Sequence, residues 1–182
     1  MAKKLCLLRG INVGGKNIIK MDQLRLCLER LELEDVRTYI QSGNVMFDSA
    51  KTEASLGPLI EKALLKKFSY KEPILIMSAK KLESIVSSAP KAFGSQPDKY
   101  RYDVIFLIGK KLTAKQLAKV ISLKEGVDTL HLGKQALFFS RLISKSSQSH
   151  LAKLVAKPEY KSVTIRNWKT TMTLIEKLNE KG

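Results

Sequence analysis

Histidine and cysteine are scarce, with two of each in 182 residues. Cys6 sits in an apolar strand pattern and Cys27 in a helical one, so both read as small buried hydrophobes, not as a disulfide framework. Such usage fits a reducing cytosol, and a cytoplasmic location is expected. His131 and His150 have no cysteine or carboxylate at a recognised ligand or triad spacing, so no metal site, no cofactor and no catalytic base is assigned. Long apolar runs are missing too. Val104 to Ile108 is strand-sized, and Arg9 cuts the run Leu5-Cys6-Leu7-Leu8 too early for a signal peptide, so no membrane is expected as a partner.

Acidic residues are the remaining deficit: 17 Asp and Glu stand against 33 Lys and Arg, a formal charge of +16. The imbalance lies mainly in residues 79 to 182, which hold 20 of the cations and 8 of the acids. A field of that sign attracts nucleic acid, acidic membrane surface or phosphorylated ligands. It equally keeps a small globule soluble. With 44% hydrophobic residues the chain has the material for one substantial domain or two small ones.

Hydrophobic periodicity orders the elements. Lys3 to Arg9 reads as a buried strand, and Met21, Leu24, Leu28 and Leu31 mark a helix. Val36 to Gln41 and Asn44 to Asp48 form a hairpin across Ser42-Gly43. Gly57-Pro58 leads into a second helix with Leu59, Ala63, Leu64 and Phe68 as its stripe, and Ile74 to Met77 is a strand. A third helix, Lys81 to Ser88, runs into a linker from Ala89 to Lys99 containing Pro90, Gly94 and Pro97. The pattern then restarts. Asp103 to Ile108 is a strand, Thr113 caps a helix from Ala114 to Ile121, and Val127 to Leu132 pairs with Ala136 to Ser140. Ser149 caps a short helix through Val155, Ser162 to Ile165 is the last strand, and Asn167 caps a helix from Trp168 to Lys181. The expected fold class is therefore α+β: two ferredoxin-like (βαββαβ) units in tandem, 1–78 and 79–182, plus a C-terminal helix.

Two stretches carry site-like chemistry. Arg9-Gly10-Ile11-Asn12-Val13-Gly14-Gly15-Lys16-Asn17 places glycines and amides beside cations, a composition that lets backbone N–H groups approach an anion. The spacing is not that of a nucleotide P-loop, because Asn17 follows Lys16 and the helix starts later. Gln41, Ser42 and Asn44 crowd polar groups around Gly43; they either join that loop in a pocket or hydrogen-bond with it. The second stretch, Ser140 to Ser147, is hydroxyl-rich and basic, includes Lys145, and leads toward a helix start, a setting that suits an oxyanion. Arg166 and Asn167 stand just before the last helix. Trp168, the one tryptophan, reads as core. Lys111, Lys115 and Lys119 recur every four residues, as do Lys153 and Lys157, and are expected to form basic helix faces.

The strings LLRGINVGGKN, VRTYIQSGNVMF and TIRNWKT resemble the bacterial family called domain of unknown function sixteen ninety-seven. The resemblance implies a small bacterial cytosolic α+β protein with ferredoxin-like parts and no established activity. Its recognised positions fall on Arg9, Gly10, Asn12, Gly14, Gly15, Lys16, Gln41, Ser42, Gly43, Asn44, Arg166, Asn167 and Trp168, none with an assigned role.

Two functions follow as expectations. One is a polyanion-binding module, with nucleic acid or an RNA-protein assembly as partner, using the lysine-rich helices of the second half together with the loop near Lys16. The other is an enzyme or sensor for a phosphorylated or nucleotide-like small molecule held between the Arg9 to Asn17 loop, the Gln41 hairpin and Arg166. The candidate ligand-binding residues are Arg9, Asn12, Gly14, Gly15, Lys16, Gln41, Ser42, Asn44, Lys145, Arg166 and Asn167. A protein-protein adaptor presenting the first loop is a third.

Overall fold

The computed structural model describes residues 1–15 and 17–180. The chain is mixed α+β, with two four-stranded antiparallel sheets and a C-terminal helix. It divides into two compact units, one formed by Met1–Leu82 with the chain from Glu176, the other by Glu83–Ile175.

In the first unit β1 (Ala2–Leu7) lies between β3 (Asn44–Ser49) and β4 (Leu75–Ser78), and β2 (Glu34–Tyr39) pairs on the outside of β3. The register sets Cys6 opposite Val45 and Ile76. Alternation along the strands then places Cys6, Val45, Phe47 and Ile76 on one face. Leu24 and Leu28 of α1 (Met21–Glu29) and Leu56, Ile60 and Leu64 of α2 (Glu53–Phe68) pack into the same core. Helix α2 starts before the expected Gly57-Pro58, because Thr52 accepts the Ser55 N–H and so satisfies one of the orphan donors of its first turn. Pro58 is consequently inside the helix. Ser69 ends it at φ +55, its N–H bonding back to Leu64 and Leu65.

In the second unit β5 (Tyr100–Leu107) is central between β7 (Ala136–Leu142) and β8 (Val163–Asn167), with β6 (Asp128–Leu132) beyond β7. Helix α3 (Ala79–Val86) precedes β5. Helix α4 (Ala114–Val120) carries a complete capping box, with Thr113 and Gln116 bonding each other's backbone N–H. Leu117 of α4 joins Ile105, Leu107, Leu137, Phe139 and Val163 in the core. After β7 the expected short α-helix is replaced by 3-10 segments at Ile143–Gln148, Leu151–Ala156 and Pro158–Ser162. Ser149 Oγ accepts the Leu151 N–H at 3.3 Å, a local bond that competes with a regular helix, and Pro158 cannot continue one. The linker expected from Ala89 to Lys99 is instead packed on this unit: Phe93 meets Tyr102, Phe138 and Trp168 edge to face, with centroids 4.8, 5.2 and 5.1 Å away.

Helix α5 (Trp168–Asn179) starts where expected, with the Asn167 Oδ1 accepting the Lys169 N–H at 2.9 Å. The expected end at Lys181 lies outside the described residues. Among the described residues, no helix is long and apolar enough to cross a membrane and no cluster of His, Cys, Asp or Glu is suited to a metal ion.

Candidate functional site

The first loop is held by its own side chains. Asn12, at φ +54, donates from Nδ2 to the carbonyls of Ile19 (2.9 Å) and Gln41 (2.8 Å), while its Oδ1 accepts the Ile19 N–H (2.9 Å). Asn17 at φ +47 donates to the Gly10 carbonyl at 3.0 Å. The loop and the 40–43 turn are thus hydrogen-bonded to each other, the second of the two arrangements the sequence allows. Arg9 is 7% exposed. Its N–H and carbonyl both bond the Tyr70 hydroxyl, at 2.9 and 2.8 Å, and its guanidinium pairs with Glu72 at 2.6 Å.

The hairpin is equally committed. Asn44 is fully buried and donates to the Tyr39 carbonyl and to Ser42 Oγ. Those bonds brace a turn that holds Ile40, a β-branched residue, at φ +49. Gly14, Gly15 and Gln41 are exposed and Ser42 is half-buried. Lys16 lies outside the described residues.

Burial pushes the Tyr70 phenol up to about 12, against the opposing pull of the Arg9 amide and charge. The folded state therefore holds this proton after the unfolded chain, at about 10, has lost it. Stability falls as pH rises across that window. Tyr70→Phe should flatten this part of the profile while lowering stability at neutral pH by about 1–2 kcal/mol, because both Arg9 backbone groups lose their partner. Thermal melts of both proteins from pH 7 to about pH 12 check this.

In the second unit the register gathers charge at one end of the sheet. Arg101 of β5 stands directly opposite Arg141 of β7, which itself stands opposite Asp128 of β6; Asp103 pairs with Asn167 of β8. Side chains two apart share a face, so Arg101, Asp103, Arg141, Asp128 and Asn167 lie together, on the same face as Ile105 and Phe139 of the core. Tyr100 and Tyr102 point to the opposite face with Phe138 and Ser140.

A cleft of about 960 Å³ opens at this end, lined by Tyr100, Arg101, Tyr102, Arg141, Ser146, Ser147, Asn167, Trp168 and Lys169, with Gly94 and Pro97 among its further lining. Lys169 is exposed and Trp168 half-buried. Gly94, at φ +86, lies against the indole so closely that a Cβ there would fall 2.2 Å from Trp168 Nε1. Beneath the arginines Asp103 is 4% exposed, with Oδ2 3.3 Å from Arg141 and Oδ1 3.9 Å from Arg101. Its carboxyl is held above the usual range: burial raises it, and Arg141 and then Arg101 pull it back only in part.

The structure therefore joins two stretches that the sequence presented separately, the serine-rich 140–147 segment and Asn167-Trp168. It leaves others apart. Lys145 is exposed but does not line the cleft. Arg166 is 7% exposed and bonds Thr164 Oγ1 and the Ile165 carbonyl, on the face opposite Arg101 and Arg141. Asn167 is occupied at both ends, donating to the Tyr102 carbonyl and accepting from Lys169, so it positions the helix start. Trp168, expected in the core, is half-buried: its ring packs on Phe93 and Phe138 and it lines the cleft. The basic helix faces form only in part: Lys115 and Lys119 are exposed one turn apart on α4, but Lys111 precedes that helix, and Lys153 and Lys157 fall in and after a 3-10 segment, where four-residue spacing no longer aligns side chains.

Sequence reasoning missed Tyr100, Arg101, Tyr102, Asp103 and Lys169. The signal was the alternation Tyr-Arg-Tyr-Asp, which marks a strand with an aromatic and a charged face and extends β5 three residues earlier than the apolar run alone suggests.

The model of a family described as "Protein of unknown function (DUF1697)" matches residues 1–138. A solved structure entitled "The structure of conserved bacterial protein SP0830 from Streptococcus pneumoniae" is 31% identical, with a TM-score of 0.83 over 98% of this chain and 99% of that one. No curated protein matches.

Proposed function

We propose that this chain, which belongs to the family described as protein of unknown function (DUF1697), binds a small phosphorylated or nucleotide-like molecule in the second-unit cleft. The observation that carries this reading is that one concavity at the end of the sheet is lined both by Arg101, Arg141 and Lys169 and by Tyr100, Tyr102 and Trp168, the arginines and tyrosines being contributed by opposite faces of the sheet. Guanidinium forks suit a tetrahedral oxyanion, the start of α5 favours negative charge, and the aromatic faces suit a planar group. The Arg9 loop is the weaker candidate, because its asparagine amides and the Arg9 guanidinium are engaged within the unit.

We read each unit as ferredoxin-like, supported by the antiparallel strand orders β2-β3-β1-β4 and β6-β7-β5-β8. In the second unit 3-10 segments stand where that fold has its second helix. The free thiols Cys6 and Cys27 fit the proposed cytoplasmic location.

Titration of nucleoside monophosphates and sugar phosphates into the protein, followed by Trp168 emission and calorimetry, tests the function. Saturable binding is expected, weakened about 10–100-fold by Arg141→Ala, the range for losing a charge-assisted contact. Oligonucleotides in the same series decide between a small ligand and a polyanion. If they alone bind, with affinity falling steeply in salt and indifferent to Arg141→Ala, the lysine-rich surface is the binding element and the cleft reading fails. Absence of any saturable response also overturns it.

A further inference from the structure

An anion of the protein's own lies beneath the arginines that line the cleft. Arg101 and Arg141 face each other across β5 and β7, an arrangement that is destabilising unless something negative lies between or beneath them. Two carboxylates share their sheet face, and Asp103 is the one that forms ion pairs with both guanidiniums. Asp128, opposite Arg141, accepts the Lys124 and His150 backbone N–H groups at 2.9 and 2.8 Å. Asp103 is 4% exposed and within ion-pair distance of both guanidiniums. Its contact to Arg141 is an ion pair at 3.3 Å with no hydrogen bond to Oδ2, and Arg141 Nε is buried with no hydrogen-bond partner among the described residues. Arg141 is thus held by charge and keeps donor capacity unused, while Arg101, its side chain 57% exposed, reaches the cleft.

We propose that Asp103 is the internal competitor for the ligand's anion and so determines which ligands the cleft takes: an oxyanion must share or displace its hold on Arg101 and Arg141. The inference rests on the cleft being the ligand site proposed above. A tetrahedral dianion, the chemistry common to phosphate monoesters and sulfate, can meet both guanidiniums and Lys169 together. A single carboxylate only reproduces what Asp103 supplies.

A consequence is a sign for pH dependence. The groups around Asp103 are Arg101 on its own strand, Arg141 and, beyond it, Asp128 on the neighbouring strands, and Asn167 on β8; Lys169 stands at the start of α5. The guanidiniums stay charged throughout. As pH falls through the raised Asp103 value its carboxyl becomes neutral, both guanidiniums are released to the ligand, and anion affinity rises. By linkage, bound anion raises the Asp103 value further.

Inorganic sulfate is the probe, since its charge is constant from about pH 4 to 8. It is titrated into the full chain at several pH values in that range, followed by Trp168 emission and calorimetry, beside sulfate titrations of Asp103→Asn and Asp103→Ser. His131→Gln and His150→Gln serve as controls for imidazole protonation. Wild-type affinity should rise by about tenfold toward the acidic end, the effect of roughly one unit of coupled proton affinity. Asp103→Asn should bind at pH 7.5 as tightly as the wild type does at low pH and lose the dependence, while the histidine variants keep it. Asp103→Ser gives the same comparison if the Asn variant does not fold. Sulfate binding that is flat with pH, or a dependence retained in the Asp103 variants, overturns the role of Asp103 and leaves the cleft reading intact. No binding of sulfate or inorganic phosphate at any pH, in wild type or variant, removes the cleft reading itself.

Discussion

Replacing Asn12 with alanine should lower stability by about 3 kcal/mol and the melting temperature by roughly 10 °C, from the usual values for lost hydrogen bonds, left-handed backbone and a chain of this size. Three hydrogen bonds disappear together, two from Nδ2 to Ile19 and Gln41 and one from Ile19 to Oδ1. The Gln41 bond joins the first loop to the hairpin, and Ile19 beside it is 2% exposed. Alanine also tolerates φ +54 less well than asparagine, whose polar side chain compensates locally. Two companion variants separate the causes. Asn12→Gly removes the bonds but accepts the backbone, and should cost about 2 kcal/mol. Asn12→Asp keeps an acceptor for Ile19 N–H but sets a carboxylate against two carbonyl oxygens, and should be at least as harmful as alanine. Denaturant melts of the three order them; equal stability of Asn12→Ala and wild type would mean that the loop is not held through this side chain.

Gly43→Ala is the second large effect, about 2–4 kcal/mol, combining a left-handed backbone with core overpacking. At φ +74 a Cβ would fall 2.7 Å from Leu8 Cβ and 2.8 Å from Ile11 Cδ1, both in fully or nearly fully buried residues. The Leu8 atom is next to the backbone and cannot swing aside. The Gly43 carbonyl also accepts the Leu8 N–H at 2.8 Å, so any retreat of the turn stretches the bond that extends the β1–β3 pairing. Gly57→Ala is the control within α2: a Cβ there meets nothing within 4 Å, and alanine favours the helix, so stability should stay level or rise. Comparable melts for the two alanine variants would refute the packing argument.

These two positions also show what local pattern can reveal. Glycine at a predicted turn was legible from the hairpin signal, and the glycines and asparagines of the first loop marked a place where backbone groups need special partners. The partners were not. Nothing near Asn12 in sequence points to Gln41, and nothing near Gly43 points to Leu8 and Ile11. The crowding of polar groups in 9–17 and 41–44 allowed either a pocket or mutual hydrogen bonding, and in the folded protein much of it braces the loop itself, since buried backbone groups without water must find partners.

The second unit makes the same division clearer. Capping residues, strand alternation and helix periodicity are properties of a few consecutive residues, so the strands, the Thr113 box and the Asn167 cap could be read directly. The 3-10 run after β7 could not, because weak helix signals are resolved by the packing of Leu151 and Leu154 into the core. Arg101, Arg141 and Asn167 meet only because antiparallel register sets residues 101 and 141 face to face and brings 167 beside 103. Sequence by itself determined the α+β class, the family signatures and the excess of positive charge. Tertiary structure alone decided where that charge becomes concave, for a cleft is made by residues distant in the chain whose nearness depends on strand pairing.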